Sequence, residues 1–370
     1  MKNASLLFSV LVVAAGCGAP TGSNEHIGTE ADSSVVATSD TLILPGENHF
    51  KSLKQLTFGG DNAEAYWSFD GNHLVFQVTN PAWGDTCDQI RYFNPFTDDL
   101  KKGPTTKLSV NNGRTTCSYF LPGDSLVLYA STHLAGPQCP PVPERVPGGK
   151  YTWPLYESMD IFVSDLKGNI RKQLTNAKGY DAEGTVSPKG DRIVFTSVRD
   201  GDLELYTMNI DGSDVKRVTR TLGYDGGAFF SPDGTKLLWR ASRPTSPEDV
   251  KEYKDLLAAG LVQPTQMELW VANADGTDAK QITNLGKANW APYWHPDGQR
   301  IIFASNHLSE RGFPFSLFMI NTDGSGLERL TTSDTFDAFP VFSADGRYLV
   351  FSSNRGGKDR ETNLFLAEWK

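Results

Sequence analysis

The stretch SPDGTKLLW (231–239) is one of six versions of a single phrase in this 370-residue chain. The others are SFDGNHLVF (68–76), FLPGDSLVLY (120–129), SPKGDRIVF (187–195), HPDGQRIIF (295–303) and SADGRYLVF (343–351). Aligned on the closing aromatic, the Pro-type position of the phrase falls at 69, 122, 188, 232, 296 and 344, so successive copies lie 44 to 66 residues apart. Such periods mark an architecture of stacked units, each unable to bury its own apolar face alone.

Outward from the phrase, each unit resolves into four strands. A short run before it, such as Gly227 to Phe230, reads as strand A, and the Pro-Asp-Gly turn reverses the chain into strand B, here Lys236 to Ala241. Strand C follows, as in Glu204 to Met208, and a turn such as Asp211-Gly212 leads to strand D, ending in Arg217-Val218-Thr219. That ending returns as Gln173-Leu174-Thr175, Gln281-Ile282-Thr283 and Arg329-Leu330-Thr331. Asp-Gly between apolar runs signals a hairpin, because glycine adopts positive φ without a steric penalty. Four antiparallel strands in each of six units predict an all-β, six-bladed β-propeller. The last unit stops after strand C (Asn363 to Ala367), while a spare D-like ending, Lys54-Gln55-Leu56-Thr57, stands near the other terminus. The N-terminal strand is therefore expected to complete the last blade and close the ring, removing two exposed edges.

Composition agrees with this reading. Hydrophobic residues make up 39% and charged residues 21%, a globular balance, with 35 Gly and 21 Pro as turn formers. A length prior of ~150 residues per domain would give two domains; the repeat instead merges residues 51–370 into one. A net charge of −9 provides no electrostatic footprint for nucleic acid. Residues 1–16 carry Lys2, an apolar run from Leu6 to Val13, and small residues before Cys17. The run is shorter than the ~20 residues of a spanning helix and reads as an export signal. It resembles a bacterial lipoprotein signal, which implies lipidation of Cys17. Residues 17–50 are expected to form the lipidated N-terminus and a flexible tether. Gly18 after the cysteine resembles outer-membrane sorting, with the protein facing the periplasm or the cell surface.

The phrases SPDG, F-x-S-x-R (Phe195 to Arg199), N-x-D-G (Asn209 to Gly212) and Leu-Thr resemble the TolB-type propeller repeats of bacterial envelope proteins. The resemblance covers residues 51–370 and implies a standalone propeller without the N-terminal α/β domain of TolB. It therefore does not carry a TolA- or Pal-binding role onto this chain.

Function is sought on the face that carries the D-to-A and B-to-C connections, where the long insertions fall at 132–158 and 243–266. The first insertion is rich in proline (Pro137, Pro140, Pro141, Pro143, Pro147, Pro154) and is expected to be extended. In the second, Ser246-Pro247 and Gly260 bracket a short amphipathic helix, a cap for the channel mouth or a docking element. Before strand A, one slot reads Asn62, Thr115, Asp181, Asp225, Asn289 and Asp337. Four places after the closing aromatic, another reads Asn80, His133, Arg199, Arg243, His307 and Arg355. Their Asp and Arg members are expected to cap turns and pair between blades. Departures from the repeat are better ligand candidates. His133 and His307 share one slot in opposite blades, and Glu64 and Glu183 share another with Cys117, Gly227, Ala291 and Phe339. The candidate rim comprises Glu64, Asp181, Glu183, Asp225, Asp337, His133, His307, Arg199, Arg243 and Arg355. Its carboxylates suggest a channel mouth that takes a divalent cation or a basic ligand.

Export favours disulfides. Cys87 and Cys139, both placed in B-to-C connections, are expected to bridge; Cys87–Cys117 and a zinc site of three cysteines with His133 are the alternatives. The reading that follows is a lipid-anchored monomer binding an envelope protein, a small ligand or a polymer through its loop-rich face. The alternative is a lyase or hydrolase acting on an envelope or extracellular polymer. Related propellers include prolyl peptidases, but no G-x-S-x-G elbow is present and Gly324-Ser325-Gly326 falls in a hairpin turn. His133 and His307 are too few for a His-ligated lyase metal, which leaves Glu64 or Glu183 as the acid/base of a hydrolase.

Overall fold

A computed structural model describes residues 42–110, 113–142, 150–310, 312–357 and 361–370. The export signal, Cys17 and the tether up to residue 41 lie outside the described residues, as do Pro143 and Pro147. Six four-stranded antiparallel sheets form the blades of a propeller. Their innermost strands A are Asp61–Trp67, Thr115–Phe120, Asp181–Val186, Asp225–Phe230, Asn289–Trp294 and Asp337–Phe342, and these pack against one another around a central channel.

Each strand B is buried on both faces, because its sheet is stacked between two others. Leu237, Leu238 and Trp239 in blade 4, and Ile301, Ile302 and Phe303 in blade 5, are almost wholly inaccessible. That is why these strands read as continuous apolar runs instead of an in–out alternation. The recurring Leu-Thr also has a physical cause. In five blades the threonine hydroxyl accepts from a strand C amide that the short strand D leaves unpaired. Thr57 takes Leu364, Thr175 takes Ile161, Thr219 takes Leu205, Thr283 takes Leu269 and Thr331 takes Leu317, all at 2.8–2.9 Å. Ser109 does the same for Ile90 in blade 1.

The ring closes as expected. Phe50–Gln55 pairs antiparallel with Asn363–Trp369, placing Leu53 opposite Ala367 and Gln55 opposite Phe365. The segment just before it, which the sequence assigns to the tether, is docked: Glu47 is buried and both its carboxylate oxygens bond to Arg355.

The two insertions form one unit. Trp153–Pro154 of the first pairs with Leu261–Val262 of the second. Between Arg243 and Leu261 runs helix α1 (Pro247–Ala258), whose N-cap Ser246 accepts from the Asp249 amide at 3.0 Å. Cys87 and Cys139 form a disulfide. Cys87 lies in strand C of blade 1 (Asp85–Phe93), not in a connection, because only a single 3-10 turn (Pro81–Trp83) separates strands B and C there. This bond leaves Cys117 as a free thiol, which replaces the Cys87–Cys117 and zinc alternatives.

Candidate functional site

In every blade the pairing of strands A and B is broken by a bulge, between Ala63 and Tyr66 in blade 1 and at the matching place in the others. A bulge re-aims a side chain. Here it turns Glu64, Cys117, Glu183, Gly227, Ala291 and Phe339 into the channel, each with φ between 46° and 60°. Two residues further along, Tyr66, Tyr119, Thr185, Phe229, Tyr293 and Val341 form a second ring. Between the two rings lies a chamber of about 30 Å³. The structure thus brings together Glu64 and Glu183, as their shared slot implies.

Glu183 is saturated. It accepts from Thr196 at 2.7 Å, from the Tyr224 hydroxyl at 2.8 and 2.9 Å, from the Gly227 amide at 3.0 Å, and from Arg240. Burial pushes the Tyr224 hydroxyl well above its usual range, while its carboxylate and phenol neighbours raise Arg240 further. Arg240, Tyr224 and the aromatic ring of tyrosines were not singled out from the sequence. A signal for them exists in Gly226-Gly227, a glycine pair inside a strand. A Cβ at Gly227 would stand 2.2 Å from Arg240 Nη1, and one at Gly226 would stand 2.3 Å from the Tyr224 hydroxyl. The pair exists to admit those side chains.

The other rim candidates do not meet around the mouth. Arg199, Arg243 and Arg355 bond within their own blades to Asp181, Asp225 and Asp337, at 3.0, 2.6 and 3.0 Å. These pairs lie within blades, not between them as expected. Burial pushes Asp181 up, and Asp225 up to about 7, against the pull of these arginines. Each guanidinium lies over a strand C ring, Arg199 on Tyr206, Arg243 on Trp270 and Arg355 on Phe365. His133 and His307 do the same work. Their Nδ1 atoms bond to Ser131 and Ser305 at 2.9 Å and their rings lie on Phe162 and Phe318. Burial lowers the pKa of both imidazoles. The acidic mouth expected for a divalent cation therefore does not form, since its aspartates are buried against arginine. Among the described residues no group of three or more His, Cys, Asp and Glu side chains is placed to hold a metal.

The model of the TolB β-propeller domain family matches residues 143–251 and 261–361, more than half of the chain. The chain belongs to that family. Among solved structures it is similar to a putative TolB from Agrobacterium tumefaciens, with a TM-score of 0.52 and 18% identity over 84% of this chain and 91% of that one. It is also similar to TolB from Acinetobacter baumannii, with a TM-score of 0.50 and 18% identity over 85% of this chain and 66% of that one. An oligogalacturonate lyase in complex with manganese follows at a TM-score of 0.48 and 16% identity, over 86% and 93%. The two TolB likenesses speak to the fold alone. A search of the curated proteins returned no match.

In this TolB-type propeller the two ends of the channel differ. On the loop-rich face the insertion covers the mouth: Trp153 lies 5.3 Å from the Arg240 guanidinium carbon and 5.2 Å from the Trp290 ring. Trp290 is fixed in turn by its Nε1 bond to the Pro264 carbonyl at 2.7 Å. On the opposite face, between the A-to-B turns, the channel opens as a funnel of about 360 Å³. Trp67, Phe69, Phe230, Trp294 and Phe342 line it with prolines of the repeated phrase. Loop-rich and open are thus properties of different faces. Of the described residues, no helix is long and apolar enough to cross a membrane.

Proposed function

We propose that this propeller is an exported binding module, anchored through a lipid on Cys17, that presents its loop-rich face to an envelope protein. The observation that carries the proposal is where the four most exposed large apolar side chains among the described residues lie. Leu134, Val142, Leu308 and Phe313 are 64%, 59%, 63% and 53% exposed, and all four sit in B-to-C connections of that face. Apolar side chains this exposed, two in blade 2 and two in blade 5 of the same face, mark a surface for protein contact. The insertion that carries Leu134 and Val142 is held by the Cys87–Cys139 bond and by its pairing with the second insertion, so that part of the surface is preformed.

Catalysis is the weaker reading. Glu183 is fully engaged, and Glu64 faces a chamber of about 30 Å³, a space for one water-sized group and far below what a sugar ring needs. The test is cross-linked capture from membranes with the intact protein and with a Leu308→Asp/Phe313→Asp double variant. A partner captured by the intact protein and lost with the variant is the expected result. Equal capture, or turnover of an envelope polymer that Glu183→Gln abolishes, would sink the proposal. Release of a Cys17→Ser variant from the membrane fraction is expected from the anchor.

A further inference from the structure

The chamber holds one carboxylate that the protein does not balance. Three charged side chains line it, Glu64, Glu183 and Arg240. Arg240 and Glu183 offset each other through their ion pair. Glu64 is left over, and its Oε2 is shut off from solvent without a hydrogen-bond partner. Burial, with the charges of Glu183 and Asp88, raises its pKa, while the Cys117 thiol and Arg240 oppose the shift. It is also held at φ 53°, in the left-handed region, where a side chain persists only if its surroundings impose it.

Above Glu64 stands a belt of aromatic rings. Tyr66 lies 5.5 Å from Tyr119 and 5.8 Å from Phe229, and Phe229 lies 5.0 Å from Tyr293. Tyr119 and Tyr293 belong to opposite blades, and their hydroxyls lie close enough across the passage to influence each other. Phe229 and Tyr293 line both the chamber and the funnel. The two spaces therefore adjoin at this belt, with the tyrosine pair as the bar between them.

We propose that the chamber receives the ammonium head of an aliphatic primary amine, paired with Glu64, while the alkyl chain lies along the aromatic belt towards the funnel. A single unbalanced carboxylate calls for a single positive charge. A hard divalent metal requires about six oxygen ligands or more, which this lining does not supply. An ammonium is close to a water molecule in size and fits a chamber of about 30 Å³. Aromatic faces attract cations and cover methylene groups together, and the walls of the passage are mainly such faces. Entry requires Tyr119 and Tyr293 to move apart where the two spaces adjoin, so this pair acts as the gate.

The same head group can be brought by a free amine or by a lysyl side chain, and calorimetry on the full chain separates them. n-Pentylamine and an extended lysine-containing tripeptide, capped at both ends, are titrated at pH 8, with 1-pentanol and potassium chloride as controls. Saturable binding of either amine, silence from both controls, and at least tenfold weaker binding by Glu64→Gln are expected. Pentylamine alone, or both, points to a small molecule; the peptide alone points to a protein side chain. Tyr119→Phe, which removes the bar, is expected to tighten binding. A melting curve shows that each variant is folded. Absence of binding by both amines, equal binding by folded Glu64→Gln, or competition by potassium at equal concentration overturns the proposal. None of these outcomes bears on capture through Leu308 and Phe313 on the opposite face.

Discussion

Five side chains of the inner ring, Glu64, Cys117, Glu183, Ala291 and Phe339, sit in a conformation that L-residues rarely adopt. Each costs of order 1–3 kcal/mol, offset by the packing of the strands they interrupt. For Glu64 a second cost is added, because its carboxylate is buried without a full set of partners. Its folded pKa is raised above the ordinary 4.5. The folded protein therefore holds this proton more tightly than the unfolded chain does. The resulting stability is fully present below pH 4.5 and is lost as pH rises through the folded value. Glu64→Gln removes that dependence. In amine-free buffer the variant is expected to be more stable than the parent at pH 8 by about 1–3 kcal/mol. The gap should narrow as pH falls towards 4.5. Thermal melts across pH 4.5–8 check this, and a gap that widens on acidification would contradict it.

At the scale of elements, the insertion depends on a covalent tie. The Cys87–Cys139 bond closes a loop over a sequence separation of 52 residues, for which loop-closure entropy predicts a contribution of about 4 kcal/mol. Cys139→Ser is expected to cost about 2–4 kcal/mol and to expose residues 132–158 to protease before the blades are cut. Equal melting and cleavage of both forms would show that the strand pair Trp153–Pro154 and Leu261–Val262 suffices. The elements differ in how openly the sequence announces them. Turns and helix α1 are local: Pro-Asp-Gly and Ser-Pro each act through nearby backbone, while Leu-Thr is legible because it repeats. The disulfide was legible because few cysteines compete. Glu64 and Glu183 stood out because they break a six-fold slot. Arg240 breaks one too, standing where the other blades hold Gln77, Ala130, Thr196, Ala304 and Ser352. Its place in the channel depends on space left by Gly226 and Gly227 on another strand, which no local pattern expresses. His133 and His307 misled for the opposite reason. They look like departures, yet an imidazole over phenylalanine fills the same place as a guanidinium over an aromatic ring.

For the whole molecule, the decisive contact is the seam where the N-terminal strand meets the last blade. Hydrogen bonds between Phe50–Gln55 and Asn363–Trp369 hold the ring shut, and no covalent bond among the described residues spans that seam. A propeller opens at its weakest junction, because each blade touches only its neighbours. The seam is reinforced from outside the sheet by Glu47. Its carboxylate accepts from Arg355 at 2.9 and 3.0 Å and from the amides of Leu44 and Thr332 at 2.9 and 3.1 Å. Arg355 in turn holds Asp337 of blade 6 at 3.0 Å. All three side chains are buried, and removing one member of a buried ion cluster costs about 3–5 kcal/mol. Asp337 would still neutralise Arg355 in a Glu47→Gln variant, so the lower end, about 3 kcal/mol, is expected. The loss should be local before it is global. In hydrogen exchange, the amides of residues 50–55 and 363–369 should lose protection in the variant, while strands B of blades 2 to 4 keep theirs. Uniform loss across all six blades would mean that the ring melts as one unit and that the seam is no weaker than any other junction.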